Sequence, residues 1–220
     1  LINNLNNIIF DLDGTIADTS ADIRDSLKKA FIRLDLFTNE IDKKVSSALI
    51  GPPLKEMIIG FNLDIDNSVI DDIIIMFRKI YMESGFPNTM LFNGIQAVFE
   101  FLYIIKKQIF IATNKPEAPT LKILGKLNII ERFSGIVCVD TYYKPLSKNE
   151  MLEEIIHRWN LNPNETIMIG DSASDIIAAK MNKIHSIGIL SGYGDADDIL
   201  IQQPDFYINN HVELINILQA

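Results

Sequence analysis

Asn7-Ile8-Ile9-Phe10-Asp11-Leu12-Asp13-Gly14-Thr15 is the stretch on which the reading of this chain turns. Ile8, Ile9 and Phe10 form a short apolar run without a helical stripe, the pattern of a buried strand. The run ends in two carboxylates separated by one residue. Gly14-Thr15 then suits a sharp exit in which the backbone takes a positive φ. Side chains alternate along a strand, so Asp11 and Asp13 point the same way. Two such carboxylates repel unless a cation sits between them or one keeps its proton. Asp-Gly is also a common turn pair, and a polar strand end that merely starts a turn is the plain alternative. The rest of the chain decides between them.

After Thr15 the period changes from two to helical. Ile23, Leu27, Ala30, Phe31 and Leu34 recur at helical spacing, with Asp18, Thr19 or Ser20 as N-cap. A second helical run over 40–50 stops at Gly51-Pro52-Pro53, and Leu54, Met57, Ile58 and Phe61 belong to a third. Ser68 to Asp71 has the spacing of a capping box for a fourth helix through Tyr81, ended by Gly85. No strand pattern interrupts residues 18–85, which predicts a helical insert. From Gly94 onward, helices over 96–106, 117–127, 149–159 and 174–182 alternate with strands over 109–112, 136–139, 166–169, 186–189 and 205–208. A last helix starts at Val212. Alternation of this kind predicts a Rossmann-like, doubly wound parallel sheet of the α/β class. The expected domains are an α/β core over 1–17 and 86–220 and a helical cap over 18–85.

Composition narrows the function. The 220 residues carry 20 Lys+Arg against 29 Asp+Glu, a net charge of −9, with no basic block. Such a chain is a poor ligand for nucleic acid or an anionic membrane surface. An anionic substrate would need local cations to overcome this field. Cys138 is the only cysteine; no internal disulfide can form, which fits a reducing, cytoplasmic setting. It lies in an apolar run and reads as packing. Residues 1–5 lack the basic and apolar segments of a signal peptide. The apolar runs are too short to span a bilayer.

Strand ends in such a sheet are where ligands gather. Asp11 and Asp13 end one strand. Thr113-Asn114 ends another, offering a hydroxyl and backbone N–H groups to phosphate oxygens. Gly170-Asp171 to Asp175 ends a third, where a helix begins. A lysine comes from the segment between, either Lys148 or Lys144. Oxygen ligands from separate strands suit Mg²⁺ bridging to a phosphate. Beside a metal and a lysine, Asp11 stays ionised and can attack phosphorus. Asp13 can protonate the leaving oxygen and later take a proton from water.

These four segments, in this order, resemble the motifs of the haloacid dehalogenase superfamily over essentially the whole chain. The helical insert after the first motif, Thr113-Asn114-Lys115-Pro116 and Gly192-Tyr193-Gly194 look closest to its phosphoglycolate phosphatase group. The resemblance implies that Asp11 is the nucleophile and a metal ligand. Asp13 would be the general acid/base, ligating metal through its carbonyl. Thr113 and the Asn114 backbone would hold the phosphoryl group. Asp171 would bind Mg²⁺ with support from Asp175. Lys148-Asn149-Glu150 fits one subgroup's lysine motif, which makes Lys148 the expected catalytic lysine, and Lys144-Pro145, a worn version of another motif, makes Lys144 the alternative.

The expected activity is therefore a Mg²⁺-dependent phosphatase for a small phosphorylated metabolite, with 2-phosphoglycolate the first candidate. A β-phosphoglucomutase-like isomerase uses the same motifs, and nucleotides, sugar phosphates and pyrophosphate are further substrates. A dehalogenase is disfavoured by the acid at position 13, and a non-catalytic sensor by the presence of both acids. A monomer or a homodimer is equally compatible. His157, His185 and His211 have no ligand spacing and read as surface or helix-end residues. Lys115 has two readings, a substrate contact and, preferred, an exposed lysine at a helix entry; Gly188, Gly192 and Gly194 read as a loop shaping the site.

Overall fold

The computed structural model describes residues 5–48 and 50–219. Residues 1–4, most of the segment that bears on a signal peptide, and Leu49, inside the expected second helix, lie outside the described residues.

The chain folds into two compact units, one running through Asp18 and resuming at Leu91, the other Thr19–Met90. The first is built on β1 (Asn7–Phe10). Two short strands, β2 (Ala17–Asp18) and β3 (Met90–Leu91), flank the second unit in sequence. The main sheet then takes β4 (Gln108–Thr113), β5 (Gly135–Cys138), β6 (Thr166–Gly170), β7 (His185–Ile189) and β8 (Phe206–Ile208). Their order is β5-β4-β1-β6-β7-β8, and every pairing is parallel. This is the doubly wound α/β arrangement that the alternation predicts. β1 sits centrally, with Phe10 in register with Ile111 on one side and Ile169 on the other. The chain first adds strands on the β4 side, then crosses to β6. The direction reverses at β1, and that is where an open parallel sheet leaves a crevice beyond its strand ends.

Burial on both faces accounts for the continuous apolar runs. Ile8 and Phe10 point into one core layer with Ile95, Val98, Phe99 and Leu102 of α5 (Ile95–Ile104) and with Leu124 and Leu214. Ile9 points into the opposite layer with Phe110, Met168 and Met151, Leu152 and Ile155 of α7 (Lys148–Arg158). Phe10 and Phe99 meet edge to face at 5.9 Å, a geometry that suits the ring quadrupoles. His211 is a helix-end residue as expected, next to Val212, the N-cap of the last helix, but it does not lie at the surface. It is 4% exposed and stacks on Phe92 at 5.0 Å. Six residues of Asp- and Ile-rich sequence, Ala196–Ile201, to which the sequence pattern assigns no element, form a further helix, α9, capped by Asp195.

The second unit consists of α1 (Ser20–Arg33), α2 (Asn39–Ser46), α3 (Leu54–Ile59) and α4 (Asn67–Glu83). Its core holds Leu27, Phe31, Val45, Ile58, Ile73, Phe77 and Tyr81, with Phe31 6.5 Å from Phe61 and Tyr81 4.8 Å from Phe86. Two local expectations fail here. α2 ends at Ser46, short of the expected Ile50. Ser68 does not cap α4: the helix already includes Asn67, Asp66 is its N-cap, and Asp71 pairs with Lys55 at 2.9 Å. A charged partner on α3 takes the carboxylate that a capping box would have used. Among the described residues, no helix is long and apolar enough to cross a membrane.

Candidate active site

The site lies at the C-terminal ends of β1, β4 and β6. The Asp11 N–H still pairs with the Ile169 carbonyl at 3.0 Å, so the carboxylate is delivered at the last rung of the sheet. Beyond it the chain folds back tightly, with Gly14 N–H donating to the Ala17 carbonyl at 3.1 Å. Gly14 takes φ +83°, and a Cβ there would meet Asp171 Oδ2 at 2.1 Å. Both the backbone conformation and the close approach require glycine.

Asp11, Asp171 and Asp175 each offer an oxygen within 4.8 Å of the others. Their environments differ. Asp175 is fully buried; one oxygen accepts from the Ser172 N–H at 3.1 Å and the Ser172 hydroxyl at 2.7 Å. Asp171 accepts from the Thr15 hydroxyl at 2.8 Å and the Tyr193 N–H at 2.7 Å. Gly192 packs directly over Asp171, where a Cβ would meet the aspartate Cβ at 2.2 Å. The glycine loop thus shapes the site, as its sequence suggested. Asp11 and Asp13 each keep 14% side-chain exposure, which makes them the carboxylates of the group most open to a substrate.

Lys148 sits among these acids. Its ammonium lies 3.0 Å from Asp11 Oδ1 and 2.9 Å from Asp175 Oδ1, and donates to the Ala112 carbonyl at 2.9 Å. It opens α7, whose N-cap Ser147 and Glu150 bond each other reciprocally. Lys144, the other lysine considered, is 74% exposed and pairs with Glu150 at 2.8 Å. Thr113 ends β4, is 1% exposed, and its hydroxyl accepts the Lys115 N–H at 3.1 Å; Asn114 lies in the turn between them.

Lys115 contradicts its sequence reading. Its side chain is 6% exposed and its ammonium lies 2.9 Å from Asp13 Oδ2. No local signal separates it from a helix-entry lysine, because the contact depends on β4 lying beside β1. His211 was missed for the same reason: its Nε2 lies 2.8 Å from the Thr15 carbonyl oxygen, at the back of the aspartate loop. Tyr193 also belongs here, donating its phenol to Asp18 at 2.6 Å.

Burial raises the Asp11 carboxyl to about 7; Lys148 opposes this, and Asp175, Asp171 and Asp13 add to it. Burial likewise raises Asp171 to about 6, with Asp175 adding and the Tyr193 and Thr15 hydrogen bonds opposing. Burial works against the Lys148 charge, yet Asp11 and Asp175 outweigh it and hold the ammonium well above the ordinary lysine value. One lysine facing three crowded acids leaves uncompensated negative charge. An all-oxygen donor set with excess charge fits a hard divalent cation. Cys138 takes no part; burial pushes its thiol up to about 12.

The sequence profile of the haloacid dehalogenase-like hydrolases matches residues 8–189. A phosphoglycolate phosphatase from Photobacterium profundum is 27% identical over 220 residues, covering 96% of this chain and 95% of its own length. A 5′-nucleotidase from Pseudomonas aeruginosa is 27% identical over 217 residues, covering 97% and 96%. Among solved structures, a haloacid dehalogenase-like family hydrolase from Streptococcus pneumoniae superposes with a TM-score of 0.87 at 25% identity, covering 98% of this chain and 99% of the other.

Proposed function

The chain belongs to the haloacid dehalogenase-like hydrolases, and on that premise we propose that it hydrolyses a small phosphomonoester through an aspartyl-phosphate on Asp11. The observation that carries this reading is the pairing of two accessible carboxylates, Asp11 and Asp13, each with its own buried lysine, beside the Asp171 and Asp175 acids.

Asp11 attacks phosphorus as the carboxylate, and the bond from phosphorus to the ester oxygen breaks. Lys148 keeps Asp11 ionised against its burial, which otherwise favours the proton. Asp13 gives its proton to the departing oxygen, so an alcohol leaves in place of an alkoxide. Water then attacks the phosphorus; Asp13 takes its proton, and Asp11 is released with inorganic phosphate. Thr113 and the Asn114 backbone orient the phosphoryl oxygens. Asp11, Asp171 and the Asp13 carbonyl would hold Mg²⁺, with Asp175 in support. Bound there, the ion would neutralise charge on the transferring group.

We read the helical unit Thr19–Met90 as a cap domain. A cap favours small substrates because closure excludes bulk water. The similarity to a phosphoglycolate phosphatase makes 2-phosphoglycolate the first substrate to try. The 5′-nucleotidase at the same identity puts nucleoside monophosphates on the same panel. An acidic chain with one inert, buried thiol suits a reducing cytoplasm.

The test is phosphate release from a panel of small phosphoesters, with Mg²⁺ and with EDTA, using the wild type and Asp11→Asn. We expect turnover that needs the metal and is lost in the variant. Consumption of β-glucose 1-phosphate without free phosphate would identify a mutase instead. No turnover on any ester would overturn the enzymatic assignment.

A further inference from the structure

We propose that Lys115 is a positioning residue for Asp13, holding its carboxyl group where, once protonated, it can hand its proton to the leaving oxygen. The inference rests on the reading of Asp13 as the proton carrier. Two lysines enter the site from different elements, and they divide it. Lys148 is committed to Asp11, Asp175 and the Ala112 carbonyl. Lys115 reaches Asp13 Oδ2 at 2.9 Å.

The backbone on both sides of this second pair is constrained. Lys115 stands between the Thr113 hydroxyl, which accepts its N–H at 3.1 Å, and Pro116, the N-cap of α6 (Glu117–Lys126). A residue before proline is restricted to extended conformations, so the side chain leaves the turn in a narrow range of directions. Asp13 sits in the tight turn closed by Gly14, where its backbone bridges to Ala17. The remaining freedom of Asp13 is largely its side-chain torsions, and an ammonium on one oxygen limits them. A buried ion pair contributes little to stability, since desolvation offsets most of the attraction. A pair with one member 6% exposed, formed on a reactive carboxylate, is better explained by aim. Small errors of aim are expensive in proton transfer, which requires hydrogen-bond reach to the accepting oxygen.

The experiment exploits leaving groups. An alkyl phosphate needs a proton on its departing oxygen; p-nitrophenyl phosphate departs as a stabilised phenolate without one. The ratio kcat/KM reports events through phosphoryl transfer to Asp11 and isolates the step in which Asp13 acts as acid. We expect Lys115→Met to lower kcat/KM on the best alkyl ester by about 100-fold, and on p-nitrophenyl phosphate by no more than about fivefold. Lys115→Gln, which keeps a polar side chain without the charge, should shift the ratio the same way and serves if the methionine variant folds poorly. Lys115→Arg, which can still pair with a carboxylate, should leave the ratio within about threefold of wild type.

Equal losses on both esters would overturn the inference and make Lys115 a phosphoryl contact or a structural residue. Wild-type rates in Lys115→Met would also overturn it. Asp13→Asn separates this from failure of the underlying reading. If that variant hydrolyses the alkyl ester normally, Asp13 is not the proton carrier. If it loses the alkyl ester while Lys115→Met leaves the ester ratio unchanged, only the role of Lys115 falls.

Discussion

Tyr193 donates its phenolic hydrogen to Asp18 Oδ1 across 2.6 Å, although 175 residues separate them in the chain. The same residue donates its backbone N–H to Asp171 Oδ2 at 2.7 Å. One residue of the glycine loop thereby ties an acid of the site to the last residue before the helical unit. Tyr193→Phe removes the first bond and keeps the second. A hydrogen bond to a charged group contributes about 1.5–3 kcal/mol. We expect a loss within or just below that range by denaturant melts, with Mg²⁺ affinity changed less than twofold.

Asp11 and Lys148 should respond to substitution in opposite senses. Lys148→Met leaves Asp11 and Asp175 buried without their cation, and breaking a buried pair costs about 3–5 kcal/mol. Activity should vanish with it. Asp11→Asn removes a carboxylate whose ionisation the fold already resists. It should abolish phosphate release yet leave the metal-free protein at least as stable as wild type at pH 8. A fall in Tm for Asp11→Asn at that pH would contradict the charge crowding inferred for the site.

The pH dependence of the metal-free protein follows from the same crowding. Asp11 and Asp171 hold protons more tightly folded than unfolded, with values near 7 and 6 against an ordinary 3.8. Between those limits the native state binds more protons, so their contribution to stability declines as pH rises from about 4 to about 7. It is complete below the unfolded value and lost above the folded one. Thermal melts in EDTA across that window should show the decline. Added Mg²⁺ should restore stability most at the alkaline end, with release of protons measurable in weakly buffered solution.

Gly14→Ala tests the packing of the aspartate turn. A Cβ there meets Asp171 Oδ2 at 2.1 Å, at a φ of +83°. Strain of this kind costs about 1–3 kcal/mol before any displacement of Asp171. We expect a lower Tm and a weakened Mg²⁺ requirement curve, with half-saturation moved to higher metal concentration. A melt within error of wild type would show that the turn can relax.

Local pattern carried most of the fold. The runs Ile8–Phe10, Ile109–Ala112 and Thr166–Ile169 identify buried strands because a parallel sheet covered on both faces needs apolar residues at successive positions. Gly94, Gly170 and the Pro52-Pro53 pair punctuate elements because their backbone limits act within a residue or two. Local pattern failed where a distant partner intervened, as at Ser68, where Lys55 occupies Asp71, and at the short α9, whose six residues give too little periodicity to recognise.

The acids were legible for a related reason. Asp11, Asp13 and Asp171 follow strand ends and Asp175 stands in the first turn of the helix after Asp171; strand ends and helix starts are local features whatever the neighbouring strands are. Which cation serves which acid was settled only by tertiary structure. Lys148 and Lys144 differ by four positions in sequence, yet one is buried among three acceptors and the other is in solvent beside Glu150. Lys115 and Tyr193 belong to motifs visible in the sequence, but their partners, like that of His211, are not, because each reaches its partner only after the sheet is assembled. The order β4-β1-β6 sets Lys115 against Asp13, and the closing strands and helix bring His211 to Thr15. Sequence spacing encodes what a residue does to its near neighbours; parallel crossovers bring together residues about a hundred or more positions apart, and only the assembled sheet decides those contacts.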